Sequence, residues 1–518
     1  MPLISLDVFT GLTPHRAVEL SLPALLERID DFLFERNALR FRHAAGLSTD
    51  AAEQKCFTDY PEFGRAEALQ EVTELIDSPR TEEARKPRLK VLQAFLRRTL
   101  LEARAAELTD AVHTALETTR VASASKHWQL AEALRALPTQ TSRQERNELE
   151  RDIALCLTDL RTPLSRRVDV VLAATAEVKA TSAEKFIELI HGRPLVGRID
   201  ALDTFLRDTG DAYRDVLTFA LKRVDPALKP GHARLHDLER ALHAPWLFEH
   251  FRREELLHAI TRCLTDLGLH PNANGRIGID SEPRPGRSPE AQAFELRVPD
   301  EIRLLFIAGM GFEPYATSFS AWGLAMHRAL VAKNMHFVER RLGDPAVPQA
   351  MALVFESLLG DEAFLKRYLR VPSAPAREAA RLFAFRQLTA QRRAAANTLM
   401  SIELLRRGPV LPLADDFEQR LSAALYVEVP KSRFLLDTDV FASDALTLDA
   451  WSLEQVLHTT LTARFNEDFW RNPAAGRWLS DFAAKGQRDE AVVVAKTLGA
   501  PSLDVRAAAA RRIAVMGA

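Results

Sequence analysis

Apolar residues recur at three- and four-residue steps along most of this chain, a spacing that predicts long helices with one buried face. Between about Ala17 and Ala45 the stripe is Leu20, Leu22, Leu25, Leu26, Ile29, Phe32, Leu33 and Leu39. A second runs from Pro87 to about Thr118 through Leu89, Leu92, Phe95, Leu96, Leu100 and Leu108. A capping box, Thr181-Ser182-Ala183-Glu184, opens a short helix at Lys185–Ile190, and Gly192-Arg193-Pro194 ends it. Asp203–Leu221 reads as one amphipathic helix stopped near Pro226. Later helices are predicted at about Val347–Leu359, Ala376–Arg407, Asp416–Leu425 and Leu448–Phe465, with a tail from Ser502.

The pattern changes between about 275 and 307. Arg276–Asp280, Ala293–Val298 and Ile302–Ile307 are short apolar, branched segments separated by Pro-, Gly- and Ser-bearing turns, which predicts a small antiparallel sheet. Such a sheet can line the approach to a cleft and offer an edge to an extended peptide.

The totals narrow the function classes. The chain has 518 residues, 47% of them hydrophobic, enough for several domains or one large two-lobed helical body. Lys plus Arg 69 against Asp plus Glu 71 gives a net charge of -2, so no global field favours nucleic acid or an anionic membrane. Cys56, Cys156 and Cys263 are far apart and read as free thiols rather than a disulfide scaffold or thiolate zinc cluster. With no leader pattern at Met1–Asp7 and no apolar run long enough to span a bilayer, the expected location is the cytoplasm, with no membrane partner.

Candidate chemistry concentrates in Gly309–Leu330. A His-Glu-x-x-His zinc helix needs two imidazoles one turn apart with a Glu beside the first. Laid on the pattern Phe-His-Glu-x-Gly-His-Ala-x-His, the segment Phe319–His327 puts Ser320 and Leu324 where the histidines belong and Ala321 where the base belongs. Phe319, Gly323, Ala325 and His327 match the pattern. His232, His236, His243, His250 and His258 offer a second metal candidate, but Pro245 interrupts them and no carboxylate or Cys repeats in step.

The order of these features resembles the helical zinc peptidases of the M3 family, the oligoendopeptidase F and thimet oligopeptidase group, and more distantly angiotensin-converting enzyme. Asp280, Arg284-Pro285, Ala293-Phe294 and Val298-Pro299 resemble the strands before the metal helix; Gly309, Gly311 and Tyr315 resemble the turn into it; and Phe469–Leu479 with Lys485-Gly486 resembles the terminal segment. The resemblance implies a mainly α, two-lobed body with a deep channel, divided into an N-terminal helical lobe at 1–200 and a peptidase-like lobe at 201–518. It places Gln349 in the slot of the third zinc ligand, 29 positions after Ser320, and Ala445 in that of an oxyanion-stabilising tyrosine. Tyr315 and His327 are the expected cleft-lining residues.

With both histidines, the base and the third ligand replaced, the sequence leads to an expectation of no zinc, no other cofactor and no catalysis: a pseudopeptidase retained to bind a peptide, a protein tail or a partner subunit. Two alternatives stand beside it. One is an active hydrolase built on another constellation, such as the histidines of 232–258 with Glu249 or Glu254; the other is a purely architectural helical scaffold whose channel is filled. Neither a Gly-x-Ser-x-Gly elbow nor a phosphate-binding loop occurs.

Overall fold

A computed structural model describes residues 21–49, 53–123, 126–194 and 198–517. Among them helices dominate, and the apolar stripes are the faces they bury. Helix α1 (Leu22–Ala44) turns Leu25, Ile29 and Phe32 inward. Helix α2 (Lys86–Thr118) buries Leu89, Leu92, Leu96 and Leu100. Leu20, the first residue of the expected stripe, lies outside the described residues. Helix α3 (Phe312–Leu330) packs along α4 (Ala346–Ser357), and α4 in turn packs on α6 (Asp444–Phe465). The longest helix among the described residues, α5 (Ser373–Arg407), packs on both α6 and α7 (Val505–Met516), which also meet each other. No helix among the described residues is long and apolar enough to cross a membrane.

Two small sheets interrupt the helices. A hairpin, β1 (Arg120–Ser123) with β2 (Lys126–Gln129), roofs a satellite core of Val121, Leu130, Leu149 and Ile153 that the sequence reading did not anticipate. Strands β3 (Ile277–Asp280), β4 (Gln292–Arg297) and β5 (Glu301–Leu305) form the expected sheet near 275–307, but it is mixed rather than antiparallel. β5 lies in the centre, antiparallel to β4 and parallel to β3. The long 281–291 connection lets the chain leave β3 and return on the far side, so strand order departs from chain order.

Three other expectations are corrected. The helix expected over Asp203–Leu221 is two helices, Arg198–Asp208 and Gly210–Val224. The buried Arg392 breaks it: its guanidinium donates to the Leu206 carbonyl at 2.7 Å and to the Thr209 hydroxyl. The cap near 181 falls one residue later, at Ser182, whose hydroxyl accepts from the Lys185 backbone N–H. The segment with five histidines is divided among helix Leu235–His243, a short 3-10 turn at Pro245–His250 and helix Arg253–Asp266, so no single stripe of imidazoles exists.

Candidate functional site

Gly311, with φ at 99°, turns the chain into α3, and the helix buries thirteen of its nineteen residues. Among the accessible ones, Glu313, Thr317, Ser320 and Leu324 are spaced four, three and four apart and form one open stripe. Gly323 lies on the flank of that stripe: a Cβ there would lie 2.8 Å from the Ala352 Cα, so the missing side chain is what lets α3 and α4 approach. The positions singled out from the sequence therefore separate. Ser320 and Leu324 share the open stripe, Ala321 is buried, and Gln349 is half-buried on α4.

Tyr315 and His327, expected to line the cleft, are both 0% exposed. The Tyr315 hydroxyl donates to the Arg252 carbonyl at 2.7 Å. His327 packs edge-on to Phe482, and neither ring nitrogen has a hydrogen-bond partner. Both belong to the flank of α3 that meets other helices, which is why they cannot face open space. Ala445 lines a separate cavity of about 190 Å³ with Thr398 and Ile402.

The residue that the sequence reading passed over is Glu356. It lies seven positions after Gln349 on the same stripe of α4, and its carboxylate accepts a hydrogen bond from the Ser320 hydroxyl. Burial pushes its carboxyl up to about 7; Arg386 opposes that rise and Glu313 adds to it. Arg386, from α5, holds Glu313 with both guanidinium arms, one of them at 3.0 Å. Glu313 is thereby kept below the usual carboxylate range, against the upward pull of burial. His243 faces the same pair, with burial first and Arg240 second lowering its pKa. One sequence signal pointed to Glu356: it is the sole charged residue of a mostly apolar helix.

Helix α5 continues the open face. Arg386, Ala390 and Arg393 are accessible while their neighbours are buried, and Asn397 follows one turn later. Arg393 and Asn397 line a cavity of about 320 Å³ with Asp437, Asp439, Ser443 and Asp444. Burial pushes the Asp444 carboxyl up to about 6, against a hydrogen bond from Asn397. Asp439 also lines a larger cavity of about 1540 Å³ enclosed by α1, α2, the β1–β2 hairpin and the 285–292 loop. Asp439 thus stands between the α5 cavity at Arg393 and Asn397 and the cavity of about 1540 Å³.

These residues do not fit a zinc ion. Ser320, Leu324 and Gln349 supply no charged or imidazole donor, and no group of three or more His, Cys, Asp or Glu among the described residues is placed to hold a metal. The two carboxylates present, Glu313 and Glu356, already face the Arg386 cation. His236 is likewise committed, to Asn147 at 2.9 Å and to Asp237 at 3.2 Å.

No family model matches the sequence, and no curated protein matches it. Solved structures do. An oligoendopeptidase F from Bacillus anthracis str. Ames is similar at 12% identity with a TM-score of 0.60, covering 95% of this chain and 89% of that chain. PZ peptidase A with an inhibitor is similar at 9% identity and TM-score 0.64, covering 96% and 92%. The M32 carboxypeptidase of Deinococcus radiodurans R1 is similar at 12% identity and TM-score 0.60, covering 96% and 99%. The expectation that the chain is not an enzyme is corrected by these likenesses, since all three are named as peptidases or carboxypeptidases. At this identity they show the fold: the chain has a mainly α, metallopeptidase-like fold shared by oligoendopeptidases and M32 carboxypeptidases.

Proposed function

We propose that the chain is a hydrolase acting on peptides, with Glu356 as its proton-transferring residue. The observation that carries this reading is a carboxyl group raised to about 7 by burial, hydrogen-bonded to Ser320 on the open stripe of α3. A group titrating near neutrality is present both as acceptor and as donor at pH 7. As carboxylate, Glu356 takes a proton from water as the water oxygen bonds to the scissile carbonyl carbon. The carbon–nitrogen bond then breaks, and Glu356 returns the proton to the departing amine. The Ser320 hydroxyl orients the carboxylate, and Arg386 keeps its titration from climbing beyond the useful range.

The partner in this reading is an extended peptide. It would follow the accessible face of α5 and reach the outer edge of β4 at Gln292–Phe294, where Gln292 and Phe294 border the large cavity. Further along β4 the edge is closed, because Asn37 donates to the Glu295 carbonyl at 2.9 Å and Arg341 to the Leu296 carbonyl at 2.9 Å. The three cysteines are free, which suits the reducing cytoplasm proposed for it.

The test is cleavage of quenched fluorescent decapeptide mixtures by the purified chain. Glu356→Gln is expected to lower the rate by about 10²–10⁴-fold, and a chelator to leave it unchanged. Absence of cleavage, or equal rates for Glu356→Gln and the parent, overturns the reading.

A further inference from the structure

The cavity of about 1540 Å³ is walled by six arginines, and three of them are spent. Arg36 and Arg40 pair with Glu53, Arg36 also with Glu102, and Arg287 with Asp280. His43 pairs with Glu117. Arg167 differs. It is half-buried on the helix Arg161–Ala173, and among the described residues it makes no hydrogen bond, ion pair or ring contact. Asp439 attracts it through space, yet that carboxylate is turned to its own loop, accepting the backbone N–H groups of Phe441 at 3.0 Å and Ser443 at 3.1 Å. Arg120 and Arg135, both exposed at the cavity rim, have no side-chain partner among the described residues either; Glu132 is the unpaired acid beside them.

A guanidinium half removed from water loses hydration that only a counter-charge restores. Its planar fork matches the two oxygens of a carboxylate, and such a bond is stronger away from bulk water. His113, which also opens on this cavity, has its pKa lowered by burial and is mainly neutral at pH 7, so it neither competes for an anion nor neutralises one.

We propose that this wall binds a carboxylate carried by the peptide, its C-terminal group or an acidic side chain, through Arg167, with Arg120 and Arg135 gathering it at the rim. The inference rests on the peptide groove proposed above and adds its substrate class. Its test is therefore a binding measurement, made on the full chain carrying Glu356→Gln so that turnover plays no part. The probes are three fluorescein-labelled nonapeptides of Ala, Gly and Phe: one with a free C-terminus, one amidated, and one amidated with two internal Glu.

A carboxylate-bearing probe is expected to bind about tenfold more tightly than the neutral amide, and the probe that gains identifies the source of the group. Arg167→Met is expected to erase the preference while leaving the amide's affinity unchanged. Arg135→Gln, at an exposed position, is expected to reduce the preference about twofold to threefold and serves should Arg167→Met fail to fold. Equal binding of all three probes, or a preference that survives Arg167→Met, overturns the carboxylate site alone. Failure of every probe to bind overturns the peptide groove with it.

Discussion

Two glutamates about a hundred positions apart in sequence, Glu454 buried and Glu356 half-buried, meet opposite fates. Glu454, on α6, is surrounded by Arg511 and Arg512 of α7, at 2.5 Å and 2.9 Å. Burial alone would raise its pKa, but the two guanidinium groups outweigh it and hold the carboxyl at about 2. Glu356, on α4, makes no ion pair among the described residues: Arg386, already committed to Glu313, and more weakly Arg512, already committed to Glu454, oppose its burial only through space. Burial therefore wins there, and the carboxyl rises to about 7. The comparison teaches that one cation shared between two acids leaves a proton to move, whereas two cations on one acid make a permanently charged brace.

Replacing one acid in each region separates brace from centre. Glu454→Gln leaves two guanidinium groups facing each other in the interior, and is expected to cost about 3–5 kcal/mol of stability, read from denaturant unfolding. Glu356→Gln removes an acid that is half uncharged at neutral pH, and is expected to spare the fold while lowering peptide cleavage. A Glu356→Gln protein that unfolds as readily as Glu454→Gln would erase the distinction.

Removing the shared cation sharpens it further. Arg386→Met takes away the largest of the influences that oppose the rise at Glu356, so the pH at which cleavage is half-maximal is expected to move upward by about one unit. An unchanged pH profile would mean that Glu356 is not the group seen in the rate.

The smallest effect is on stability against pH, and the two acids give it opposite signs. Glu356 holds its proton more tightly when folded, so its contribution is complete below the ordinary carboxyl range and declines as pH rises to about 7. Glu454 holds its proton less tightly when folded, so its contribution is complete above the ordinary range and is lost as pH falls towards 2. Unfolding midpoints of the parent and Glu356→Gln are expected to diverge between pH 4.5 and 7, with the variant gaining as pH rises. Parallel curves would show that the Glu356 titration is not linked to folding.

Helix after helix was legible in the chain because burial of one face imposes a period that local spacing reveals: α2, expected from Pro87 to about Thr118, spans Lys86–Thr118. The Thr209 break was not legible, since it depends on an arginine nearly two hundred positions later reaching the Leu206 carbonyl. Ser320 and Leu324 were correctly set one turn apart on one stripe, while Tyr315 and His327 were placed facing the cleft because a helical period gives a side chain's angle but not which neighbour occupies it. Reading the absent zinc ligands as absent chemistry followed from looking only at positions a metal would use. The acid that takes up the open stripe comes from the next helix of the pair and gains its property from a third.

The sequence by itself determined that this is a helical protein and where most of its helices lie, because periodicity is a local property. Only the tertiary structure decided that β3 runs parallel to β5, that Arg167 stands without a partner among the described residues beside a large cavity, and that Glu356 meets Ser320 under a cation shared with Glu313. Those outcomes depend on desolvation and charge summed over helices far apart in the chain, and no short stretch of residues contains that sum.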